Sequence, residues 1–249
     1  MQTNSCRRCT LVKKVKRGFP FRHLYRRSTQ LLLLLGMFFT VAALSGCAAT
    51  RSDIKGAYTI PVEKNIGAEK VSVFFLFRHM EQQHGFDAAP KLRATPVKDF
   101  TNIFRDSLTE INNIDSYATD TEDPFDVNNP ERRKKREALK NSNDYTLDIR
   151  IMEESSFKQQ CFSATISLLS LTVIPAPYSW DYTINVDLYD KSGKLIRNYQ
   201  RQAELSNWVE AFLIFAYPFY PLEGKREEIY SGFLHDVFRQ IEGEKVLKK

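Results

Sequence analysis

Cys47 is the residue whose surroundings carry the clearest chemical signal in the sequence. It follows Ser45 and Gly46, two small residues that leave room for a protease at the backbone. Its thiolate is a strong nucleophile that can carry a thioether-linked lipid. Upstream, an apolar run over residues 31–44 follows a segment with nine basic side chains and no acid. A basic segment followed by a short apolar run is the layout of an export signal.

The stretch Leu44-Ser45-Gly46-Cys47 resembles the lipobox of bacterial lipoproteins. The resemblance implies that Cys47 receives diacylglycerol, that a signal peptidase cuts between Gly46 and Cys47, and that an acyl chain such as palmitate is added to the new amine. Because the next residue is alanine rather than aspartate, it also implies a lipid anchor in the outer membrane, facing the periplasm. The alternative is an uncleaved helix over residues 31–49. The apolar run is shorter than the roughly 20 residues of a membrane span, which favours the signal.

The composition narrows the class of protein. The 249 residues are 43% hydrophobic, and only 10 are Gly, 10 Pro and 4 Cys, which excludes collagen-like, disordered and disulfide-scaffold chains. A formal charge of +6 would ordinarily suggest a nucleic-acid or membrane partner. Removal of the nine leader bases leaves 27 Lys and Arg against 30 acids, so the mature protein carries a charge of about −3. No nucleic-acid partner is therefore predicted.

The motif RHME at residues 78–81 directly follows a predicted buried strand. Together with Asp236, it resembles the histidine phosphatases. The resemblance implies phosphate binding by Arg78, phosphorylation of His79 and proton donation by Asp236. Met80 stands where that superfamily has a glycine, and Asp236 falls inside a predicted amphipathic helix. The sequence therefore favours a strand end that leads into a polar loop, with a periplasmic phosphatase-like hydrolase as an alternative.

Other candidate chemistry is sparse. His79, His84 and Glu81 offer only two imidazoles, which is fewer ligands than a metal site usually has. Cys161 has no histidine close in sequence and is predicted to be a buried free thiol. We therefore predict a protein that is not an enzyme and has no metal. Its only cofactor-like group is the covalent lipid on Cys47.

Hydrophobic periodicity predicts the elements that position these residues. In chain order they are a strand at 70–77, a loop at 79–91, helix 95–111, a short strand at 114–118, helix 131–140, strands 145–151 and 180–188, a turn at 190–194, a return strand at 195–203 and helix 229–241. Thr95-Pro96 and Asn129-Pro130 are the predicted helix starts. This order predicts one α+β domain, a mostly antiparallel sheet with amphipathic helices on one face. Residues 1–46 are predicted as the signal, 47–69 as a flexible tether and 70–249 as the domain.

Two apolar segments, residues 166–174 and 208–221, flank the predicted hairpin. They therefore start from one end of the domain, opposite the 190–194 turn. They either complete the core or form an exposed apolar pole that meets the bilayer or a partner. The residues predicted to make this contact are Leu168, Leu171, Trp208, Phe212, Phe215, Tyr217 and Phe219.

The sequence thus predicts a lipid-anchored protein of the cell envelope that binds a protein partner or supports an envelope assembly. The prediction depends on the lipobox, the apolar segments and the lack of a catalytic constellation. Two alternatives stay open: a phosphatase-like hydrolase built on Arg78 and His79, and a secretion or transport subunit that inserts its apolar pole into a membrane.

Overall fold

Strands and helices alternate along most of the chain in the computed structural model, which describes residues 46–65, 67–93, 97–125, 128–170, 173–210 and 221–248. The strands of this described part are β1 (Gly46–Arg51), β2 (Val71–His84), β3 (Lys91–Leu92), β4 (Ile114–Thr121), β5 (Tyr145–Ser156), β6 (Ala176–Asp190) and β7 (Leu195–Glu210). Its helices are α1 (Phe100–Leu108), α2 (Pro130–Ser142), α3 (Phe157–Leu169) and α4 (Leu222–Glu244).

The strands form one mixed sheet in the order β1-β7-β6-β5-β2-β3, and β4 pairs with β2 beside β3. The pairs β1–β7, β7–β6, β6–β5 and β2–β3 are antiparallel, whereas β5 and β4 run parallel to β2. The predicted α+β domain with a mostly antiparallel sheet is therefore confirmed. The parallel pairs arise because α1 and α2 carry the chain back between β2, β4 and β5.

The main core lies between the sheet and helices α1 and α4. The ring of Phe75 on β2 lies 5.0 Å from that of Phe104 on α1 and 5.8 Å from that of Phe238 on α4. Successive strand residues point to opposite faces, so Leu76 points away from this core. It is buried all the same, beside a cavity that α2 lines with Glu137 and Lys140. Helices α1 and α4 thus pack on one face of the sheet, and α2 lies on the other face.

Residues 47–69, predicted as a flexible tether, are hydrogen-bonded to the domain. After β1, Lys55 forms an antiparallel bridge with Gln202. The backbone N–H of Tyr58 donates to Asp236 Oδ1 at 2.9 Å, and that of Asn65 donates to Glu242 Oε1 at 2.7 Å. The segment therefore runs along α4 instead of hanging free. Its polar composition did not reveal this because backbone N–H groups bond to carboxylates whatever their own side chains are.

Several element boundaries differ from the sequence prediction. β2 continues to His84 through the stretch predicted as a loop, and β1, β3 and α3 were not predicted. The Thr95-Pro96 start lies outside the described residues, and the N-cap position of α1 is Asp99. Asn129 does cap α2, since its side chain accepts from the N–H of Glu131 at 3.0 Å. The predicted turn also forms, with Gly193 at φ 79°.

Candidate functional site

Arg78, His79 and Asp236 do not converge on one phosphate site. Arg78 Nε donates to Glu122 at 2.5 Å on the sheet face opposite α1 and α4. His79 is the next residue of β2 and therefore faces the other way. Asp236 on α4 is already paired with Arg201. The geometry thus gives the phosphatase-like alternative no support.

His79 is an internal side chain. It is 1% exposed, and neither ring nitrogen has a hydrogen-bond partner among the described residues. Its ring stacks on that of Tyr230 at 5.8 Å and meets the edge of Phe100 at 4.9 Å. Burial, with a smaller effect of the nearby Arg93 charge, lowers the pKa of His79 to about 4. A ring that is closed off from solvent in this way is not accessible to the phosphate ester that the alternative requires.

A second buried group of polar side chains centres on Glu153. Its carboxylate accepts from Arg226 at 2.8 and 3.0 Å, from Arg93 at 2.9 Å and from the Tyr230 hydroxyl at 2.9 Å. Burial and the Glu153 charge raise the pKa of Tyr230. The carboxylate oxygens are saturated by these donors, so the cluster has the character of an internal ion pair that ties β5 to α4.

The sheet face opposite α4 carries a cavity of about 400 Å³ between α2 and the 190–193 turn. Asp148 lines it, and burial raises the pKa of this carboxyl although the Arg78 charge opposes the shift. Lys140 and Lys191 stand on the same walls. Within the described part of the chain, no group of three or more His, Cys, Asp and Glu side chains has metal-site geometry. The cavity therefore offers mixed charge without a recognisable reaction centre.

Helix α3 buries polar residues and exposes apolar ones, the reverse of an ordinary surface helix. Its buried residues are Ser163 and Ser167, whereas Phe162, Leu168 and Leu169 are 67%, 68% and 79% exposed. A surface helix of a globular protein normally buries its apolar stripe and exposes its polar residues. An exposed apolar face of this kind is a candidate contact surface.

Cys161 lies in the same helix and is exposed, so the prediction of a buried thiol is wrong. The serines explain the error: they take the inward positions, and the neighbouring cysteine is turned outward on the helical period.

Exposed apolar side chains also lie on the chain that follows α3 and on β7. We call the set the apolar pole and define it as Phe162, Leu168, Leu169, Val173, Ile174 and Trp208. Trp208 pairs with Pro177 and therefore belongs to the sheet face opposite the one that α3 covers, so the pole includes side chains on both faces at this end of the sheet. Two of the predicted contact residues, Leu168 and Trp208, belong to it. Leu171, Phe212, Phe215, Tyr217 and Phe219 lie outside the described residues, as do Leu44 and Ser45.

The strand register places Cys47 at the apolar pole. Cys47 pairs with Val209, which pairs in turn with Ala176, so the three positions form one row across β1, β7 and β6. In the adjacent row, Ala48 pairs with Trp208. The residue predicted to carry the lipid and the exposed apolar side chains therefore lie at the same end of the sheet.

In the part of the chain that the structure describes, none of the helices is both long enough and apolar enough to cross a bilayer.

Comparison with known proteins gives little that bears on this site. No model of a protein family matches the chain, and no curated protein matches it. Among solved structures, it is similar to a PelC dodecamer from Paraburkholderia phytofirmans in two crystal forms, at 10% identity and a TM-score of 0.28 for each. The matches cover 77% and 76% of this chain and 99% and 96% of those chains. Function therefore has to be argued from the residues of this chain.

Phe162 lies outside the two apolar segments that were predicted to form the pole, and Leu169 lies in one of them but was not among the predicted contact residues. A signal for them was present, because Ser163 and Ser167 are spaced by four residues while Phe162 and Leu169 are spaced by seven. On a helix these spacings separate a small polar side from a large apolar side. The spacing alone does not show that the polar side faces inward, because that depends on what the apolar side contacts.

Proposed function

We propose that this chain is a lipid-anchored protein of the cell envelope that is not an enzyme. Its lipid is attached at Cys47, in the outer membrane and facing the periplasm, and the apolar pole rests in the membrane interface. The observation that carries the proposal is the row Cys47–Val209–Ala176, which brings the predicted lipid attachment point to the pole.

The pairing of β1 supports close contact between domain and membrane. A free tether over residues 47–69 would let the domain move far from the bilayer, whereas pairing of Cys47 with Val209 makes the lipid leave directly from the sheet. Because the lipid already holds this end of the domain at the membrane, contact of the pole with the bilayer needs little further binding energy. Transfer of each large exposed side chain, such as Leu169, from water into apolar surroundings contributes about 1–2 kcal/mol.

This placement leaves the opposite end of the domain for a partner. The 190–194 turn ends the β6–β7 hairpin far from the pole, so it points away from the membrane. We infer that a protein partner or an envelope assembly is met at this end or along the charged sheet face that holds Arg78 and Asp148. A membrane-inserting subunit is the second candidate, because the outward apolar side of α3 would also suit deeper insertion.

Attachment is tested through processing of the precursor. Cys47→Ala should leave the full-length precursor, since no thiol is left to receive diacylglycerol, and the wild-type chain should mature to a lipid-bearing form that begins at residue 47. Electrophoresis and mass spectrometry of the N-terminal peptide distinguish the two. Normal maturation of the variant would refute attachment at this cysteine.

Membrane contact is tested with a fluorophore on Cys161, which is the only free thiol once Cys47 is lipidated. The mature protein is labelled with an environment-sensitive dye and reconstituted into phosphatidylethanolamine–phosphatidylglycerol vesicles. We expect a blue-shifted emission that Leu169→Glu reverses. Leu195→Glu is the matched control, because Leu195 is 48% exposed beside the distal turn. Water-like emission from the wild-type protein would refute contact of the pole with the bilayer.

A further inference from the structure

A groove of about 420 Å³ separates helix α3 from strand β6. Its walls include Ser163, Ala164 and Ser167 on the helix and Ala176, Tyr178 and Trp180 on the strand. The small residues on the inward side of α3 create this space, because serine and alanine hold the helix above the strand without filling the gap. The small inward-facing residues of α3 thus leave a groove between the helix and β6.

The groove is apolar although several of its residues are not. The Ser163 hydroxyl donates to the carbonyl of Pro177 at 2.5 Å, and Tyr178 Oη accepts from Asn207 at 2.7 Å. These polar groups are already occupied by bonds within the protein. The rest of the lining consists of the methyl groups of Ala164 and Ala176, the rings of Tyr178 and Trp180, whose centroids lie 4.9 Å apart, and the side chains of Ser167 and Gln160. The Gln160 carbonyl oxygen accepts from Gln83 Nε2 at 2.6 Å, so apolar groups form most of the remaining surface. Such a lining suits a hydrocarbon ligand.

One wall residue of the groove lies in the row that contains Cys47. Ala176, one of its walls, is separated from Cys47 by Val209 alone. Two strand spacings correspond to about 10 Å, which is well within the reach of a long acyl chain. By the alternation of strand residues, position 47 belongs to the sheet face that carries Ala49 and Ala176, and helix α3 covers this face.

We propose that the groove holds one acyl chain of the lipid on Cys47, while the other chains enter the bilayer. This inference rests on the proposed lipid attachment. Moving an acyl chain from the bilayer into an apolar groove exchanges one hydrocarbon environment for another, so the transfer itself costs little. Its effect is on orientation: a chain held along α3 fixes the pole against the membrane.

The capacity of the groove is measured without the anchor, on the chain from residue 47 with Cys47→Ser. Trp208→Phe leaves Trp180 as the only tryptophan, and palmitate with a nitroxide near its methyl end serves as quencher. We expect saturable quenching of Trp180. Ala164→Phe, at an exposed wall position, should weaken binding at least about tenfold by filling the groove.

Thr165→Phe is the matched control for that variant. It adds the same ring to the next residue of the helix, which does not line the groove, and should leave binding unchanged. Absence of saturable quenching in the Trp208→Phe protein, or equal loss in both phenylalanine variants, would overturn the proposal.

The source of the acyl chain is identified by photo-cross-linking in the lipidated protein. A small aliphatic diazirine amino acid, which does not fill the groove as phenylalanine would, replaces Ala164, and the protein is irradiated in its native envelope. We expect mass spectrometry to find the peptide that contains residue 164 joined to the N-terminal lipopeptide of the same chain. The same replacement at Thr165 should give adducts with bilayer phospholipids instead.

Adducts of residue 164 with phospholipids alone would overturn the assignment to the Cys47 lipid. An N-terminal peptide without any lipid would overturn the proposed attachment, and the groove assignment with it. The two failures are distinguishable because the mass of the N-terminal peptide is read in the same experiment.

Discussion

Replacement of His79 by phenylalanine should remove a pH dependence that is built into the core. His79 stacks on Tyr230 with an interplanar angle of 12° and has no hydrogen-bond partner within the described structure. A phenyl ring keeps the stack and removes the two unpartnered nitrogens. Because an unsatisfied buried polar atom costs about 1–3 kcal/mol, His79→Phe should be at least as stable as wild type at neutral pH.

The magnitude follows from proton linkage. The pKa of His79 is lowered to about 4 in the folded protein, against about 6.5 in an unfolded chain, because burial disfavours the charged ring. Below pH 6.5 the unfolded state therefore binds more protons, so stability falls as the pH decreases, until the folded state is also protonated near pH 4. Between pH 7.5 and 4.5 this one group should lower the free energy of unfolding by about 2–3 kcal/mol.

Urea unfolding of the Cys47→Ser chain from residue 47 measures this effect at a series of pH values. The difference in unfolding free energy between His79→Phe and wild type should grow by about 2–3 kcal/mol from pH 7.5 to 4.5. His84→Gln is the control on the same strand, since its side chain is 55% exposed, and it should retain the wild-type pH dependence. Curves for His79→Phe and wild type that stay parallel over this range would refute the assignment of a buried neutral imidazole.

Two further variants test how the domain is held together, again by urea unfolding at neutral pH. Glu153→Gln removes the charge that pairs with two guanidinium groups and should lower the free energy of unfolding by about 3 kcal/mol. Glu81→Gln is the control: its carboxylate is half exposed and lies 3.9 Å from Arg93, so the loss should be less than about 0.5 kcal/mol. Equal losses would show that burial of the ion pair is unimportant. Gly243→Ala would place a Cβ 2.7 Å from Tyr58 Oη, so the usual helix gain of about 1 kcal/mol should be lost. A stabilised Gly243→Ala would show that residues 47–69 are only loosely held on α4.

The parts of the fold that the sequence predicts well are those whose burial is decided within one element. The alternation from Tyr145 to Ile151 identified β5, and the apolar spacing from Ile229 to Ile241 identified α4. Both elements are longer than predicted because polar residues continue the hydrogen bonding beyond the apolar pattern. β2 runs on through Glu81 and Gln82 to His84, since the parallel partner β5 continues beside it.

The parts that could not be predicted depend on contacts between distant segments. β1 has too few side chains to show a pattern, and its pairing is decided by the free edge of β7. Helix α3 misleads because Ser163 and Ser167 face inward. For the site, the sequence predicted Cys47 and an apolar end of the hairpin, but not that one row of the sheet joins them. Likewise, the motif at residues 78–81 did not reveal that the strand continues through it, which places Arg78 and His79 on opposite faces of the sheet.

The position of β1 also determines how the domain bears mechanical load. Its backbone bonds to β7 run perpendicular to the strand, which extends inward from Cys47 to Arg51. If Cys47 carries a lipid as proposed, a force that pulls the domain away from the membrane acts along β1, so the bonds to β7 and the Lys55–Gln202 bridge are loaded together in shear. A force across the strand would instead break these bonds one after another. In the proposed arrangement, β1 is therefore held most strongly against a pull directed away from the membrane.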